Sequence, residues 1–560
     1  MSSAEKRWEI LSRSKGKNIA DILLFNRGIK TDKQKKEFFH PTHPKDLTLK
    51  EVEIKKSEVE KALNRIKKAK KSGEKVIIYG DYDADGITAT AILWETLSTA
   101  GLDVSPYIPE RFTEGYGFNT DTISKLKSQN SNLGLIITVD HGITAKRQVE
   151  FAKKQGIDVI ICDHHQLQKS KPKAFSVLHT TKIGGAEISW ILSREIRKRF
   201  KIPSNKLPLG DRLDLAAIGA IADVLPLLGP NRCFAKHGLE ALNETKRPGL
   251  KNLYEEAGIK PGTVGSFQVG YFIGPRINAM GRLKHGIESL RLLCYRTNEK
   301  AKIQSYLLGK TNQERQKIEE DVILHAKNLI EGRDMQRIVV VAHESYHEGV
   351  IGLAASRIVE TYHRPAIVIS KKDKISKGSA RSIAGFDIFR AIMSFKEEFG
   401  IDGGGHTMAA GFSIATEKID EFTKRINQYA QEFLKEETLS KRIKIDTEIH
   451  FNQINLKLLQ TLKSFEPTGS GNPTPVFATS GAMVVDARGV GADAKHLKLT
   501  VQEAGVKING IAFRKGDILP ELSPKIPVDI AYNISEDNWN GRRGLQLEVR
   551  DIKWKKNSKI

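Results

Sequence analysis

Cysteine is scarce in this chain, and the few cysteines are widely separated. The 560 residues include Cys162, Cys233 and Cys294, and no two of them form a C-x-x-C pair. This spacing excludes a disulfide framework and a structural zinc knuckle. We therefore expect a protein of a reducing compartment.

Long apolar runs are also absent. No stretch of about 18 apolar residues occurs, so the sequence predicts no membrane-spanning helix. The most apolar stretch, residues 216–229, is interrupted by Asp223 and Pro226, and the first residues lack the apolar core of a signal peptide. We expect a cytoplasmic protein without membrane association.

Aromatic and acidic residues are comparatively few. Aromatic residues make up 7% of the chain, which argues against extensive stacking on nucleic-acid bases. Lysine and arginine number 90 against 67 acidic residues, giving a net charge of +23 and a pI of about 9.6. Because such a surplus attracts polyanions over a long range, nucleic acid is the first candidate partner.

The chain is long enough for three or four domains. In its first half, the β-branched runs 76–79, 135–139 and 157–162 alternate with helical stretches, which predicts a parallel sheet. Residues 301–332 have the charge density of a solvated connector helix. A second strand-and-helix region follows, and beyond residue 440 the apolar period changes to two.

We predict an α/β protein with a C-terminal β-barrel, in which an OB-like barrel would suit single-strand binding. The predicted parts are a peripheral N-terminal arm (1–50), a parallel-sheet domain (51–300), the connector helix (301–332), a smaller α/β domain (333–440) and the barrel domain (441–560).

Carboxylates and histidines follow three strands of the first domain. The groups are Asp81-Tyr82-Asp83-Ala84-Asp85, Asp140-His141, and Asp163-His164-His165, and a fourth acidic position, Asp223, lies in apolar sequence. Ligands of open α/β sheets bind outside the carboxyl ends of the strands, so these side chains should converge. Crowded carboxylates repel each other, and divalent cations remove that cost.

The donor set predicts the metal and the reaction. Mixed carboxylate and imidazole ligands suit Mn²⁺, and Mg²⁺ remains an alternative because carboxylates dominate. The ligands suffice for two cations, an arrangement that hydrolyses phosphoesters. Any single aspartate could instead cap a helix. Asp81 and Asp163 could also orient a neighbouring histidine. For His141, a role in the turn or in supporting a neighbouring ligand is at least as good an interpretation as metal ligation.

These motifs resemble the DHH phosphoesterase superfamily and, within it, the RecJ branch of single-strand-specific 5′→3′ exonucleases. The further matching motifs are residues 276–283, 347–352, 378–382, 403–406 and 466–473, and the resemblance spans roughly residues 50–556. It implies DHH and DHHA1 domains for the two α/β regions, the second closing over the substrate.

The resemblance also implies roles for individual residues. It implies a two-metal site made of Asp83, Asp85, Asp140, His164 and Asp223, with Asp140 bridging the cations. His165 would then face the scissile phosphate. We retain Asp81 as an additional candidate ligand.

Arginines and glycines predict where the substrate phosphates bind, because a guanidinium matches phosphate oxygens and successive glycines expose backbone N–H groups. The candidates are Arg111, Arg276, Ser379, Arg381, Gly404, Gly405 and His406. For the glycines, a simple tight turn is the alternative. In the barrel, Phe513, Tyr532 and Trp539 are candidate platforms for base stacking.

We expect a monomeric exonuclease that releases 5′-mononucleotides from single-stranded DNA in repair and recombination. The resemblance implies single-strand-binding protein and a repair helicase as partners. One alternative is a DHH phosphodiesterase of short oligonucleotides or cyclic dinucleotides, which would share the metal ligands but need no large positive field. Another is a non-catalytic DNA-binding scaffold, against which the intact ligand set argues.

Overall fold

The computed structural model describes residues 6–12, 18–115, 117–167, 170–203, 206–207, 209–332, 334–522, 527–537 and 544–554. The chain divides into two compact units. The large unit comprises residues 42–225 and 230–440, and the small unit comprises residues 1–41, 226–229 and 441–560. Within the described ranges, no helix is both long and apolar enough to cross a membrane.

The first lobe of the large unit is built on a five-stranded sheet in which all neighbours are parallel. Its strands, in spatial order, are Val104–Tyr107, Lys75–Tyr79, Leu133–Val139, Asp158–Asp163 and Ser176–His179. The three central strands are nearly continuous buried runs, as expected for a sheet covered on both faces. The predicted parallel sheet is confirmed, and the structure adds the two short edge strands.

Helices connect and cover these strands. The first set is Lys56–Ser72, Ala84–Thr99, Thr120–Gln129, Lys146–Lys154 and Gly185–Phe200, after a short 3-10 turn at Pro44–Asp46. A helical region follows, with Leu213–Ala222, Gly229–Asn243, Pro248–Glu256, Ser266–Gln268, the π-helical turn Val269–Ile273, Gly274–Leu283 and Ile287–Cys294. The long helix Asn298–Ile330 then leads to the second lobe, which confirms the predicted connector helix.

The second lobe, residues 334–440, contains a five-stranded mixed sheet. Its strands, in spatial order, are Asp402–His406, Ala409–Ala415, Ile375–Arg381, Ala366–Ser370 and Val339–His343, and only the last two pair in parallel. Its helices are Ile351–Tyr362, Ile388–Met393, Lys396–Phe399 and Ile419–Phe433, with 3-10 turns at Thr416–Lys418 and Glu436–Leu439. The glycine cluster therefore lies on an edge strand and not in a tight turn.

The small unit contains a closed five-stranded barrel. Strand Phe477–Val490 pairs with both His496–Glu503 and Pro527–Asp537, and Val506–Ala512 and Gly544–Trp554 complete the ring. The other elements are strand Arg442–Glu448, helices Ile19–Asn26, Asp32–Phe39 and Leu456–Lys463, and 3-10 turns at Phe451–Gln453, Ala492–Ala494 and Gly516–Glu521. The predicted OB-like barrel is confirmed.

The N-terminal segment, which we expected to be a peripheral arm, is part of this unit. Strand Arg7–Ser12 pairs in parallel with Arg442–Glu448. Leu23, Leu24 and Phe38 belong to the same apolar core as the barrel. The side chain of buried Arg27 donates to Asn472 at 2.7 Å and to Asp446 at 3.1 Å, which ties the segment to the C-terminal residues.

A buried ionic network fixes the helices behind the first sheet. Arg247 is fully buried and binds Glu95 through both terminal nitrogens, at 2.7 and 3.0 Å. Arg212 donates to the same carboxylate at 2.8 Å, and Asp214 accepts from Arg247 at 3.0 Å. Burial alone would raise the pKa of Glu95, but the two arginines outweigh it and lower the pKa below its ordinary value.

Replacing Glu95 with glutamine should destabilise the large unit, because it leaves Arg212 and Arg247 buried without their anion. We expect a loss of about 3–5 kcal/mol in the free energy of unfolding. Since the folded-state pKa of Glu95 is lowered, its contribution is complete above the unfolded pKa and disappears as the pH falls through the folded pKa. Denaturant titrations at neutral and acidic pH should therefore show a smaller acid dependence for the variant.

Glu60→Gln is the control for this experiment. Glu60 pairs with Arg199 at the surface, and its side chain is 45% exposed. We expect this change to cost less than about 1 kcal/mol. Equal stability of Glu95→Gln and Glu60→Gln would contradict a stabilising role for the buried network.

Candidate active site

The predicted carboxylates lie at one edge of the first sheet, the one formed by the carboxyl ends of its strands. Strand Leu133–Val139 is followed by Asp140 and runs between Lys75–Tyr79 and Asp158–Asp163. Because these strands are parallel neighbours, the residues after them share the same edge. The loop after Lys75–Tyr79 and the helix Ala84–Thr99 supply Asp81, Asp83 and Asp85, and Asp223 follows helix Leu213–Ala222.

His164 lies at the centre of this group. Its Nε2 atom is 3.1 Å from Asp140 Oδ1, 3.7 Å from Asp223 Oδ2 and 3.8 Å from Asp85 Oδ2. Burial lowers the pKa of His164, which favours the neutral imidazole that a metal ion requires.

The possible ligand atoms form overlapping groups. Three triplets place their ligand atoms within 4.8 Å of one another, namely Asp140–His164–His165, Asp85–His164–Asp223 and Asp81–Asp83–Asp140. Asp140 and His164 each belong to two triplets. The shared membership matches two neighbouring cations with common ligands, and a central carboxylate has two oxygens with which to bridge them.

Asp140 is held in a position that a cation would stabilise. Its backbone adopts a φ of +64°, and its N–H donates to Cys162 O at 2.9 Å. Oδ1 is buried and accepts no hydrogen bond from the described residues, although His164 Nε2 lies 3.1 Å from it. Burial and the charges of nearby aspartates raise the pKa of Asp140 well above its usual range. A buried, unpartnered carboxylate is costly, and divalent cations would relieve that cost.

The remaining carboxylates are positioned mainly by backbone N–H groups. Asp85 accepts from Gly185 N at 2.8 Å and from Ala186 N at 2.9 Å, at the first turn of helix Gly185–Phe200. Asp83 accepts from Gly86 N at 3.0 Å and so caps its own helix. Asp83 therefore caps a helix, as the alternative interpretation predicted. Its carboxylate can still bind a metal ion.

Charge accumulates at this edge. Burial, followed by the charge of Asp83, raises the pKa of Asp81 well above its ordinary value. Burial also raises the pKa of Asp85 and, together with Asp85 and Asp83, brings the pKa of Asp223 to about 8. The raised pKa values mean that the protein supplies too little positive charge to keep all these carboxylates ionised. Two divalent cations would supply that charge, and the residues present fit a two-cation site.

Asp163 acts on its neighbours through hydrogen bonds. It accepts from His165 Nδ1 at 2.8 Å, from His165 N at 3.0 Å and from Ile143 N at 2.8 Å. Burial would raise the pKa of Asp163, but these hydrogen bonds hold it well below the usual range. Burial would lower the pKa of His165, whereas the Asp163 contact raises it to about 9. Asp163 thus orients His165 and keeps its ring protonated.

His141 belongs to none of the ligand triplets. Its Nε2 is 3.0 Å from Tyr79 O, so it bridges two adjacent strand ends. Complete burial lowers the pKa of His141 to about 4, and the ring is neutral. The turn role that we weighed for this residue matches its placement.

The loop 81–84 has a support that our sequence analysis missed. Asn278 Oδ1 accepts from Ala84 N at 2.7 Å. On the same helix, a Cβ at Gly281 would lie 2.4 Å from Tyr82 O, so only glycine allows this approach. The signal was present, since Asn278 and Gly281 both lie in the 276–283 motif that we quoted for the family resemblance.

Arginines from both lobes of the large unit gather near the metal ligands. Arg381 donates from Nη1 to Ser379 Oγ at 3.2 Å, and the Arg111 guanidinium lies 5.0 Å from the centre of the Tyr82 ring. Arg282, which we had not selected, donates to Gly349 O at 3.2 Å. Burial, followed by the charges of Arg111, Arg315 and Arg381, lowers the pKa of Arg282 to about 10. Mutually repelling guanidinium groups favour an anion between them.

The remaining predicted substrate residues lie in other surroundings. Arg276 is tied to Glu256 at 2.5 Å and to Phe272 O at 3.1 Å, so its guanidinium holds two helices together. Gly404, Gly405 and His406 are exposed on the edge strand of the second sheet, and His406 Nδ1 accepts from Met408 N at 3.3 Å. Their roles in binding stay predictions.

The three barrel aromatics also differ from one another. Tyr532 is completely buried and its hydroxyl lies 2.7 Å from Thr479 Oγ1, so our prediction of a stacking platform there is wrong. Phe513 is 53% exposed beside His496 and keeps an accessible ring face. Trp539 lies outside the described residues.

Known proteins share this arrangement. Family models match the DHH family N-terminal domain at residues 75–219, the DHHA1 domain at residues 334–432 and the RecJ OB domain at residues 445–551. The chain is 33% identical over 568 residues to the single-stranded-DNA-specific exonuclease RecJ of Bacillus subtilis, covering 98% of this chain and 71% of that protein. Identity to the RecJ of Haemophilus influenzae is 32% over 519 residues, covering 88% and 90%.

A solved structure agrees with these matches. The crystal structure of Thermus thermophilus RecJ in complex with Mn²⁺ aligns with a TM-score of 0.83 and 28% identity, covering 98% of this chain and 79% of that chain. The likeness thus extends through both lobes and the barrel. The chain belongs to the RecJ family of single-stranded-DNA-specific exonucleases.

Proposed function

We propose that the chain is a metal-dependent exonuclease that removes 5′-mononucleotides from single-stranded DNA by hydrolysing phosphodiester bonds. The observation that carries this proposal is the buried Asp140 carboxylate, which belongs to two ligand triplets and whose Oδ1 atom accepts no hydrogen bond from the described residues. The ligands would be Asp81, Asp83, Asp85, Asp140, His164 and Asp223. The 5′→3′ polarity comes from the family resemblance.

Two divalent cations supply a nucleophile at neutral pH and stabilise the leaving oxygen of a phosphoester. The choice of Mn²⁺ or Mg²⁺ is supported by the donor set and by the Thermus thermophilus RecJ structures, which were solved with each of these ions. Among the chain's own residues, Asp140 and His164 would set the spacing of the two sites. Asp85 is fixed for this task by the helix N-terminus.

His165 and the arginines would act directly on the phosphate. The His165 side chain is 45% exposed, and Asp163 keeps its ring protonated, so it can donate a hydrogen bond to a phosphate oxygen. Arg111, Arg282 and Arg381 would hold a backbone or terminal phosphate, since guanidinium groups match phosphate oxygens. This contact would fix the bond to be cleaved relative to the carboxylates.

The alternative of a DHH phosphodiesterase acting on small substrates shares the same metal ligands. The barrel favours the exonuclease, because residues 445–551 match the RecJ OB domain. A non-catalytic scaffold would not need the complete ligand set. Action in DNA repair and recombination, a cytoplasmic location, a monomeric state and recruitment by single-strand-binding protein or a helicase are further parts of the proposal, and the resemblance supports them.

Substituting Asp140 tests the two-metal assignment. We expect Asp140→Asn and Asp140→Ala to be at least as inactive as Asp83→Ala, because an amide cannot bridge two cations or offset their charge. The fold and single-strand binding should persist. Turnover of a 5′-labelled single strand, bound metal by elemental analysis and melting temperature should be measured for all three variants. Near-normal turnover of Asp140→Asn would remove the bridging role.

Substituting Arg381 tests the phosphate contact. We expect Arg381→Ala to lower kcat/KM on single-stranded DNA by tenfold or more, about 1.4 kcal/mol of lost stabilisation, while metal content stays unchanged. Arg381→Lys should recover only part of this loss, because an ammonium cannot form the bidentate fork. Arg425→Ala is the control, since Arg425 is a surface residue of the same lobe paired with Glu398. Equal kcat/KM for the Arg381 and Arg425 variants would exclude Arg381 from the site.

A further inference from the structure

Two exposed aromatic rings lie just before helix Gly274–Leu283, which supports the loop 81–84. Phe267 and Tyr271 are 56% and 70% exposed. Their ring centroids lie 4.7 Å apart, with planes inclined by 31°. Rings so exposed bury little area against the core. Together they form an apolar surface that faces solvent.

The backbone beneath these rings is irregular. Tyr271 lies in the π-helical turn Val269–Ile273, between Ser266–Gln268 and Gly274–Leu283. A π turn contains an extra residue, which rotates the helical residues before the turn by about 100° relative to those after it. Such turns are frequent at functional sites. Tyr271, which lies in this π turn, lines the same cavity as Asn278 and Arg282.

A groove runs from Tyr271 along the helix that supports the loop 81–84. Tyr271, Asn278, Arg282, Arg315 and Arg357 all line one cavity of about 340 Å³. Asn278 is the residue that holds Ala84 N, and Arg282 belongs to the arginine cluster. The groove therefore reaches the residues that we assign to the chemistry.

Guanidinium groups make the groove suitable for an anionic chain. The groups are those of Arg282, Arg315 and Arg357. Arg315 is paired with Glu319 and Arg357 with Glu360, whereas Arg282 makes no ion pair among the described residues. The surface thus combines exposed aromatic rings with a guanidinium group that can bind a phosphate. This is the composition that binds single-stranded nucleic acid without sequence preference, because every base offers a π-face to a ring.

We propose that Tyr271, backed by Phe267, is a stacking platform for a base of the single-stranded substrate, with Arg282 in the same groove attracting an adjoining phosphate. The inference rests on the proposed function, because it names where that substrate is held. It also bears on specificity. The bases of a duplex are already stacked on each other, so only an unpaired base can lie on Tyr271.

The test separates stacking from electrostatic attraction. Binding of fluorescently labelled oligothymidylate, and of an equally long strand of abasic sites, should be measured at low ionic strength with a chelator present, so that no hydrolysis occurs. We expect Tyr271→Ala to lose about fivefold or more in affinity for the thymidine strand. Its affinity for the abasic strand should equal that of the wild type. Tyr271→Trp should bind the thymidine strand at least as well as the wild type.

Two controls accompany this experiment. Tyr306→Ala removes a tyrosine of similar exposure, 68%, that does not line the groove, and it should bind both strands like the wild type. Tyr271→Leu, which keeps apolar bulk without a ring, replaces the alanine variant if that variant melts early.

Three results would overturn the platform. They are unchanged affinity of Tyr271→Ala for the thymidine strand, an equal loss on both strands, and no measurable binding of the thymidine strand by the wild type. Failure of the proposed function would appear differently, as a wild-type protein that binds single strands but does not hydrolyse them with Mn²⁺ or Mg²⁺.

Discussion

Repulsion between carboxylates at one sheet edge is the constraint on which the large unit depends. Burial and mutual charge raise the pKa of Asp81, Asp85, Asp140 and Asp223. The fold holds these groups together nevertheless, through backbone N–H donors and the strained backbone of Asp140. The Glu95–Arg247 pair holds the far part of helix Ala84–Thr99, whose N-terminal end carries the candidate ligands Asp83 and Asp85.

Close backbone approach provides the rest of the precision. A Cβ on Gly185 would lie 2.7 Å from Asp140 Cβ, and one on Gly219 would lie 2.3 Å from Asp85 Oδ1. Both glycines are helical residues at which a side chain would collide with Asp140 or Asp85, the candidate ligands. The backbones of two helices can therefore contact the carboxylates directly. The geometry of the site requires glycine at both positions.

Much of the site was predictable, because parallel strands end at a common edge and residues after those strands must meet. The arginines were harder to predict. Arg276 and Arg282 lie six positions apart on one helical stretch and so point in different directions. Only the packing of the two lobes shows that Arg276 is paired with Glu256 and that Arg282 contacts Gly349 of the second lobe. Tyr532 is a different case, since its alternation with Val528, Ile530 and Ile534 already placed it on the inward face of its strand.

The N-terminal strand illustrates a pairing that no local pattern can show. Nothing near Arg7–Ser12 identifies its partner, which lies about 430 residues further along the chain. This pairing also has a consequence for biosynthesis. At about 5–20 residues per second, the emerging strand waits on the order of a minute before Arg442–Glu448 is made. During that time its edge is unpaired, and both edges of an unpaired strand can recruit foreign strands. The small unit can therefore be completed only after the strands up to Gly544–Trp554 have also been synthesised.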